Sequence, residues 1–186
     1  MKLIYRLIMI SILLTLPVMG ATMVDMQEIN SEIQITCSIN HTQCNIRLVD
    51  TNSIIASTNE NHITISTATI KYFTKEQLRS VAYHEMAHKI LRHSYQIRMK
   101  REQIWDRLRR EMNYNEEQKI RHRVELEADS YASFLLWLNK KPNKLDDALW
   151  AINILSKRPV DEDTLTHPSL HKRLTNIHRL KILYGN

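Results

Sequence analysis

The N-terminal half of the chain carries four short runs in which apolar and polar residues partly alternate. They are rich in Ile, Val and Thr, lie within residues 33 to 73, and read EIQITCS, NIRLVD, SIIAST and HITISTATIKYF. Clusters of Asn, Ser and Thr separate them. Alternating β-branched residues favour a pleated strand, and the polar clusters favour turns. The pattern therefore predicts a small N-terminal β-sheet.

The hydrophobic period changes from strand-like to helical after Phe73. Thr74, followed three residues later by Gln77, is typical of a capping box, in which each side chain bonds to the other residue's backbone N–H. The apolar residues that follow have helical spacing, so we predict a helix to about His93 or beyond.

Further helices are predicted from apolar periodicity and polar helix starts. The first of them ends near Met112. The other three run from Asn115 to about Asn139, from residue 144 to 156, and from Pro168 to about Leu183. The predicted class is α+β, a small N-terminal sheet followed by a mainly helical body. Apolar residues make up 43% of the 186 residues, as in an ordinary globular domain. Only two glycines are present, which excludes Gly-rich nucleotide-binding loops.

The first residues of the chain have the pattern of a secretory signal peptide. Lys2 and Arg6 form a positive start, and the uncharged stretch Leu7 to Val24 follows. Gly20 and Ala21 are small residues where a signal peptidase can cut. The alternative is an uncleaved N-terminal membrane anchor, because the stretch is just long enough to cross a thin bilayer.

Cleavage at this point would leave a mature chain, residues 21 to 186, which we predict to be a single domain exported to the periplasm or secreted. Cys37 and Cys44 can close a small loop in an oxidising compartment. Two free thiols are the alternative. A metal site of these cysteines with His41 would be incomplete.

His84 and His88 lie four residues apart in the predicted helix, and Glu85 directly follows the first of them. Residues four apart differ by about 40° around a helix axis, so the two imidazoles aim at a common point. Glu85 is offset by one residue and can reach a water without being a ligand. This is the zinc-hydrolase arrangement of two His ligands and a Glu base. A surface helix with incidental histidines would leave Glu85 unexplained.

A second predicted helix contains RVELEADSYA, residues 123 to 132, and can supply the third protein ligand that a catalytic zinc needs. Glu125 and Asp129 share one face, and the alanines on it let two helices approach closely. With Glu125 as the ligand, Asp129 can accept the free ring N–H of a ligand histidine and fix its tautomer. Glu127 is expected to point to solvent.

The ordered motifs HEMAHKILRHS, ELEAD and THPSLHKRL resemble the zinc endopeptidase family of the CAAX prenyl proteases, the HtpX-like heat-shock proteases and soluble periplasmic quality-control proteases. The resemblance covers about residues 50 to 180 and implies a zincin body of the gluzincin type. It implies one Zn²⁺ held by His84, His88 and Glu125. It also implies that Glu85 is catalytic and that Asp129 supports the ligands from behind.

His167 and Arg173 match the late His-Pro and Arg positions of that family. Both are candidates for the second donor that an oxyanion needs during peptide hydrolysis. His167 could instead cap the last helix, or reach the fourth metal position and hold the enzyme latent. The chain lacks the membrane spans of the embedded members and the glycines often found in the first motif, so it resembles the soluble exported branch.

These features predict a zinc-dependent endopeptidase that hydrolyses protein or peptide substrates, in the quality control of exported or envelope proteins. A metal-activated water loses its proton to Glu85 and attacks the peptide carbonyl, and Glu85 then protonates the leaving nitrogen. A substrate strand is expected to pair with the sheet edge near HITIST. The alternative is a zinc-stabilised chaperone-like or binding module with little proteolysis.

The net charge of +6 is concentrated between Lys89 and Arg123, with eleven Lys or Arg against five Asp or Glu. Mixed charges without interleaved aromatics indicate a solvated helix pair, and nucleic acid is not a predicted partner. Attraction to an anionic membrane surface stays open. The tryptophans are expected in the core or in helix packing: Trp105, Trp137 and Trp150. The other histidines are expected to be structural or exposed: His41, His62, His93, His122, His171 and His178.

Overall fold

The computed structural model describes residues 20–108, 114–156 and 160–184, so the predicted signal peptide lies outside the described residues except for Gly20. The fold is α+β, with a three-stranded sheet and a mainly helical remainder. In chain order the elements are α1 (Met23–Ile39), β1 (Ile46–Val49), β2 (Ala56–Thr58), β3 (Ile63–Ser66), α2 (Thr67–Tyr72), α3 (Lys75–Ile90), α4 (His93–Leu108), α5 (Tyr114–Leu138), α6 (Leu145–Ser156) and α7 (Leu170–Tyr184).

Helix α1 occupies the segment EIQITCS, so the prediction of a strand there was wrong. Thr22 and Asp25 form a capping box at its start, with the Asp25 N–H donating to the Thr22 hydroxyl and the Thr22 N–H to the Asp25 carboxylate. The buried residues recur every three or four positions, which is the period of a helix: Met26, Ile29, Ile33, Thr36 and Cys37. This burial period overrides the strand preference of the local Ile and Thr residues.

The sheet has the order β1–β3–β2, with β1 parallel and β2 antiparallel to β3. The segment HITIST lies mainly in this central strand, so the sheet edges near it are the neighbouring strands β1 and β2. Within residues 20–108, 114–156 and 160–184, no further strand pairs with β2, which is therefore an edge. Residues after Ser66 form α2 rather than more strand, because the Ser66 hydroxyl accepts the Thr69 N–H and starts a helix.

Helix α3 begins at the predicted capping box of Thr74 and Gln77. It ends at Ile90, earlier than expected, because Arg92 adopts a left-handed conformation with φ of 55°. Helix α4 starts directly after this turn, and its predicted end at Met112 lies outside the described residues. Helices α5 and α6 closely match their predicted ranges. Helix α7 starts two residues after Pro168 rather than at it.

The core is built around α3, in which every residue from Leu78 to Ala87 is buried. Helix α1, helices α5 and α6, and the sheet pack on its different sides. Ala128 and Ala132 of α5 are fully buried at the contact with α3. Their small side chains let the two helix axes approach closely, and this brings the α5 carboxylates to the α3 histidines.

Cys37 and Cys44 form a disulfide that closes the loop between α1 and β1, so the bonded alternative is the one observed. Trp137 and Trp150 are 42% and 43% exposed, which corrects their expected place in the core. Trp137 stacks on Tyr184 at the ends of α5 and α7, and Trp150 lies on the outer face of α6. The side chain of Trp105 lies outside the described part. Among the described helices, none combines the length and apolarity needed to cross a bilayer.

Candidate metal centre

Helices α3 and α5 bring two imidazoles and one carboxylate together. His84 Nε2 and His88 Nε2 lie 3.1 Å apart. Glu125 Oε1 is 3.3 Å from His88 Nε2, and Glu125 Oε2 is 3.5 Å from His84 Nε2. The three ligand atoms all lie within 4.8 Å of one another, so His84, His88 and Glu125 could hold a metal ion. Two imidazole nitrogens and a carboxylate oxygen form a donor set that zinc accepts.

The charge around these ligands favours a divalent cation. Glu85, Glu125 and Asp129 are three buried carboxylates, and Arg173 is the buried cation beside them, which leaves a formal charge of −2. Burying uncompensated charge is costly, so the cluster fits an ion of charge +2. In the described chain, Glu125 Oε2 is also a buried oxygen without an aligned hydrogen-bond donor. A metal ion would supply its missing partner.

The protonation of the cluster reflects the same surplus of negative charge. Burial disfavours the charged, protonated form of His84, but the contacts with Asp129 and Glu125 raise its pKa. Likewise, burial works against ionisation of Glu125, yet His84, His88 and Arg173 hold the pKa of its carboxyl well below the usual value. Both directions reflect the same attraction between these carboxylates and positive charge, for which a bound cation would compete with a proton.

Asp129 lies behind His84, with Oδ1 2.9 Å from His84 Nδ1. This leaves His84 Nε2 facing the other ligands, the arrangement that the motif spacing predicted. The Arg173 guanidinium makes a bidentate contact with the same carboxylate, with Nε donating to Oδ2 at 2.9 Å and Nη2 to Oδ1 at 2.6 Å. Burial opposes ionisation, but Arg173 and His84 hold the pKa of Asp129 below its usual value.

Arg173 is 7% exposed, and its guanidinium is paired with the acidic side chains of the site. Besides Asp129, it lies 3.4 Å from Glu125 through Nη1. Its donors therefore point at protein carboxylates, and its Nη2 also lies 3.5 Å from His84 Nε2. This geometry favours a role in positioning the ligands over the predicted role as an oxyanion donor.

His167 lies at the rim of the site, with Nε2 3.7 Å from Glu125 Oε2 and its side chain 43% exposed. Its Nδ1 is 2.7 Å from the Thr166 hydroxyl. The hypothesis that His167 caps the last helix was wrong, because α7 begins at Leu170 and the Ser169 hydroxyl accepts the Lys172 N–H. A position beside the ligands is compatible with either of the remaining roles, donor or latch.

Glu85 faces the edge strand of the sheet. The Thr58 hydroxyl lies 2.7 Å from Glu85 Oε2 and 2.8 Å from the Glu85 carbonyl oxygen. The sequence analysis did not identify Thr58. Thr58 lies 27 residues before Glu85, so no local spacing connects the two residues. The sequence indicates only that Thr58 ends a predicted strand.

His93 is the second residue that the sequence analysis missed. Its ring is 1% exposed, and its Nδ1 lies 2.9 Å from His88 Nδ1. On a continuous helix His93 would point away from the ligands, since it lies nine residues after His84. The left-handed turn at Arg92 instead returns it to the site. Among the remaining histidines, His62 and His122 are half-buried, and His41, His171 and His178 are exposed.

No family profile, curated protein or solved structure matches this chain significantly. Membership of the metallopeptidase family therefore stays a prediction from the motifs. The described residues supply a two-histidine, one-carboxylate group and a buried acidic neighbour, Glu85, which Thr58 contacts.

Proposed function

We propose that this chain is a zinc-dependent endopeptidase with a gluzincin-like active site. The observation that carries the proposal is the convergence of His84, His88 and Glu125, from two helices, beside a fourth buried group that is not a ligand, Glu85. Zinc held there would act as a Lewis acid and would make its water a nucleophile near neutral pH. Zinc is favoured over hard cations such as Mg²⁺, because those cations prefer oxygen ligands and this group contains two imidazole nitrogens.

Within this proposal, Glu85 is the general base. Its carboxylate takes a proton from the attacking water and delivers it to the leaving nitrogen. Thr58 holds one carboxylate oxygen of Glu85, which fixes the direction of the other. Asp129 and Arg173 act behind the ligands, where they set the tautomer of His84 and compensate buried charge.

The substrate is a peptide in extended form. Strand β2 is an edge strand whose last residue, Thr58, contacts the general base. A peptide that adds to this edge by backbone hydrogen bonds would run past Glu85 and the metal ligands. Strand addition uses main-chain groups, so it suits a protease that accepts many sequences.

We further propose that the chain acts on exported or envelope proteins. The Cys37–Cys44 disulfide supports this, because disulfides persist in oxidising compartments and are rare in the cytosol. The signal-like N-terminus supports the same location. Protein quality control is the proposed role, since an edge strand binds unfolded chains in extended form.

A cleavage assay on an unfolded protein, run with Glu85→Gln, tests the proposal. The variant should lose activity by about 10²- to 10⁴-fold while it retains zinc. Glu76→Gln is the matched control, because Glu76 lies in the first turn of the same helix, far from the ligands. If the wild type binds zinc but cleaves nothing, the proposal fails and a zinc-stabilised binding module is favoured.

His167→Ala separates the two remaining roles of that residue. If His167 donates to the oxyanion, the variant should lose most of its activity with little change in KM. If His167 holds the enzyme latent, the same variant should be more active than the wild type. Unchanged activity would remove both roles.

A further inference from the structure

The two metal-facing imidazoles are supported differently on their far sides. His84 has a carboxylate behind it, because its Nδ1 lies 2.9 Å from Asp129 Oδ1. Among the described residues, no carboxylate contacts His88 on that side. Its Nδ1 faces another imidazole, His93 Nδ1, at 2.9 Å. The two rings meet edge to face, with centroids 4.9 Å apart and planes at 79°.

The position of His93 is fixed by the chain on both sides. Leu91 and Arg92 close the C-terminal turn of α3 by bonding to the Ala87 and Lys89 carbonyls. Arg92 then takes a left-handed φ of 55°, a conformation that non-glycine residues adopt with some strain. His93 follows as the first residue of α4 and is 1% exposed. A strained turn therefore leads directly to a buried polar ring.

We propose that His93 is a positioning residue that holds His88 in the tautomer and orientation needed to bind the metal. The inference rests on the proposed metal site. His88 Nε2 faces the other ligands, 3.3 Å from Glu125 Oε1, so it must present a lone pair to a bound cation. A neutral imidazole then carries its proton on Nδ1. That N–H donates to His93 Nδ1 across the 2.9 Å contact.

The same hydrogen-bond argument determines which ring nitrogen of His93 carries the proton. Its Nδ1 accepts from His88, so the proton of the neutral His93 ring lies on Nε2. His93 Nε2 lies 3.4 Å from Glu127 Oε2, a contact that is not aligned as a hydrogen bond. Glu127 is 45% exposed and was expected to be only a solvated residue. The support of His88 is therefore the imidazole of His93, with the Glu127 carboxylate near its far side, where His84 has a carboxylate in direct contact.

The reverse arrangement is incompatible with metal binding. If His93 donated from Nδ1, His88 Nδ1 would accept and the proton of neutral His88 would lie on Nε2. That proton would point at His84 Nε2 and Glu125, where the cation belongs. Holding His88 in the other tautomer before binding is how His93 would raise metal affinity.

Paired substitutions at His93 test this role. His93→Leu removes the acceptor, whereas His93→Asn places an amide oxygen close to the position of Nδ1. We expect the Leu variant to bind zinc about 10- to 100-fold more weakly than the wild type, measured by competition with a chelator. The Asn variant should retain most of the affinity. A ring that merely fills the core would give the opposite order, because Leu packs better than Asn in a buried position.

A measurement on the wild type does not depend on how the variants fold. In zinc-loaded full-length chain labelled with ¹⁵N-histidine, NMR should show His88 protonated on Nδ1 and His93 protonated on Nε2. A proton on His93 Nδ1 would overturn the inference. So would Leu and Asn variants that both fold and bind zinc as tightly as the wild type.

The failure of this inference can be told apart from failure of the proposed function. A wild-type chain that binds no zinc overturns both. A wild-type chain that binds zinc and cleaves peptides, with a His93→Leu variant of equal affinity, overturns only the role of His93. Loss of affinity in His93→Leu without any peptide cleavage by the wild type would support His93 and remove the endopeptidase.

Discussion

The Thr58 hydroxyl lies 2.7 Å from Glu85 Oε2 and so joins the edge strand of the sheet to the acidic residue of the candidate site. The same hydroxyl is 2.8 Å from the Glu85 carbonyl oxygen. The hydroxyl has one proton, which these two acceptor oxygens share, so one short side chain links both the backbone and the carboxylate of Glu85 to β2. If a substrate adds to β2, Thr58 also sets the distance between that substrate and the base.

Thr58→Val tests this link, because valine keeps the shape of threonine but lacks the hydroxyl. The loss of a hydrogen bond to a charged group costs about 1.5–3 kcal/mol, so kcat should fall about 10- to 100-fold. Thr58→Ser retains the hydroxyl and should keep most of the activity. Steady-state kinetics on an unfolded protein substrate measures both variants. Equal kcat for the Val and Ser variants would contradict the role of the hydroxyl.

Arg173→Met tests whether the buried guanidinium compensates charge or serves the reaction. It would leave three buried carboxylates without their cation, which should destabilise the metal-free chain by about 3–5 kcal/mol. Saturating zinc should restore part of this loss, because the ion supplies positive charge at the same place. Thermal unfolding with chelator and with zinc measures the difference.

Arg173→Lys is the matched control for that experiment, since it keeps the charge and loses the two-pronged contact with Asp129. Its loss of stability should be smaller. An Arg173→Met variant with an unchanged midpoint of unfolding but a much lower kcat would show that Arg173 acts as the oxyanion donor instead.

More of the candidate site than of the fold could be predicted from the sequence. The positions of His84, Glu85 and His88 follow from one helical period, and the capping box at Thr74 fixes where that helix begins. Glu125 and Asp129 follow in the same way from a second helix. Short-range spacing determines each of these faces, so the sequence carries them directly.

The missed features depend on turns and on contacts between distant segments. His93 reaches His88 only because Arg92 takes a left-handed conformation, which is unusual for arginine and has no glycine to mark it. Thr58 meets Glu85 through the order of the strands, and a periodic pattern does not give strand order. Helix α1 was mistaken for a strand because its Ile and Thr residues favour strands locally, while its burial follows a helical period.

Asp146 should make the stability of the chain depend on acid pH. Burial opposes its ionisation, but the contact with Lys181 holds the pKa of Asp146 below its ordinary value of 3.8. Its ionised form therefore stabilises the fold above about pH 4 and ceases to do so as the pH falls through the lower folded value. Asp146→Asn should lower the free energy of unfolding at pH 7 by about 0.5–1 kcal/mol, and the difference should disappear in acid.

Asp147→Asn is the control for this prediction, because Asp147 lies in the same first turn of α6 with a more exposed side chain. Urea unfolding of both variants at pH 7 and at a pH well below 3.8 makes the comparison. A deficit of Asp146→Asn that persists at the lower pH would contradict the assigned ion pair.

Lys140→Gly should stabilise the chain. Lys140 follows α5 with a left-handed φ of 53°, and the Lys140 and Lys141 N–H groups bond to the Trp137 and Leu136 carbonyls. This is the Schellman arrangement, in which glycine avoids a steric cost of about 1 kcal/mol. Lys140→Ala removes the same charge but keeps the steric cost, so its stability should stay close to that of the wild type. Equal stability of the Gly and Ala variants, measured by thermal unfolding, would contradict the prediction.

Metal content is the most direct test of the central claim, that His84, His88 and Glu125 hold one zinc ion. Elemental analysis of the purified full-length chain should give one zinc per chain, and X-ray absorption should show two imidazole ligands at about 2.0–2.1 Å. Glu125→Ala should lose the ion, whereas Glu116→Ala, at an exposed position in the first turn of the same helix, should keep it. A wild type without bound zinc after incubation with the ion, or a Glu125→Ala variant that binds it as tightly, would contradict the account.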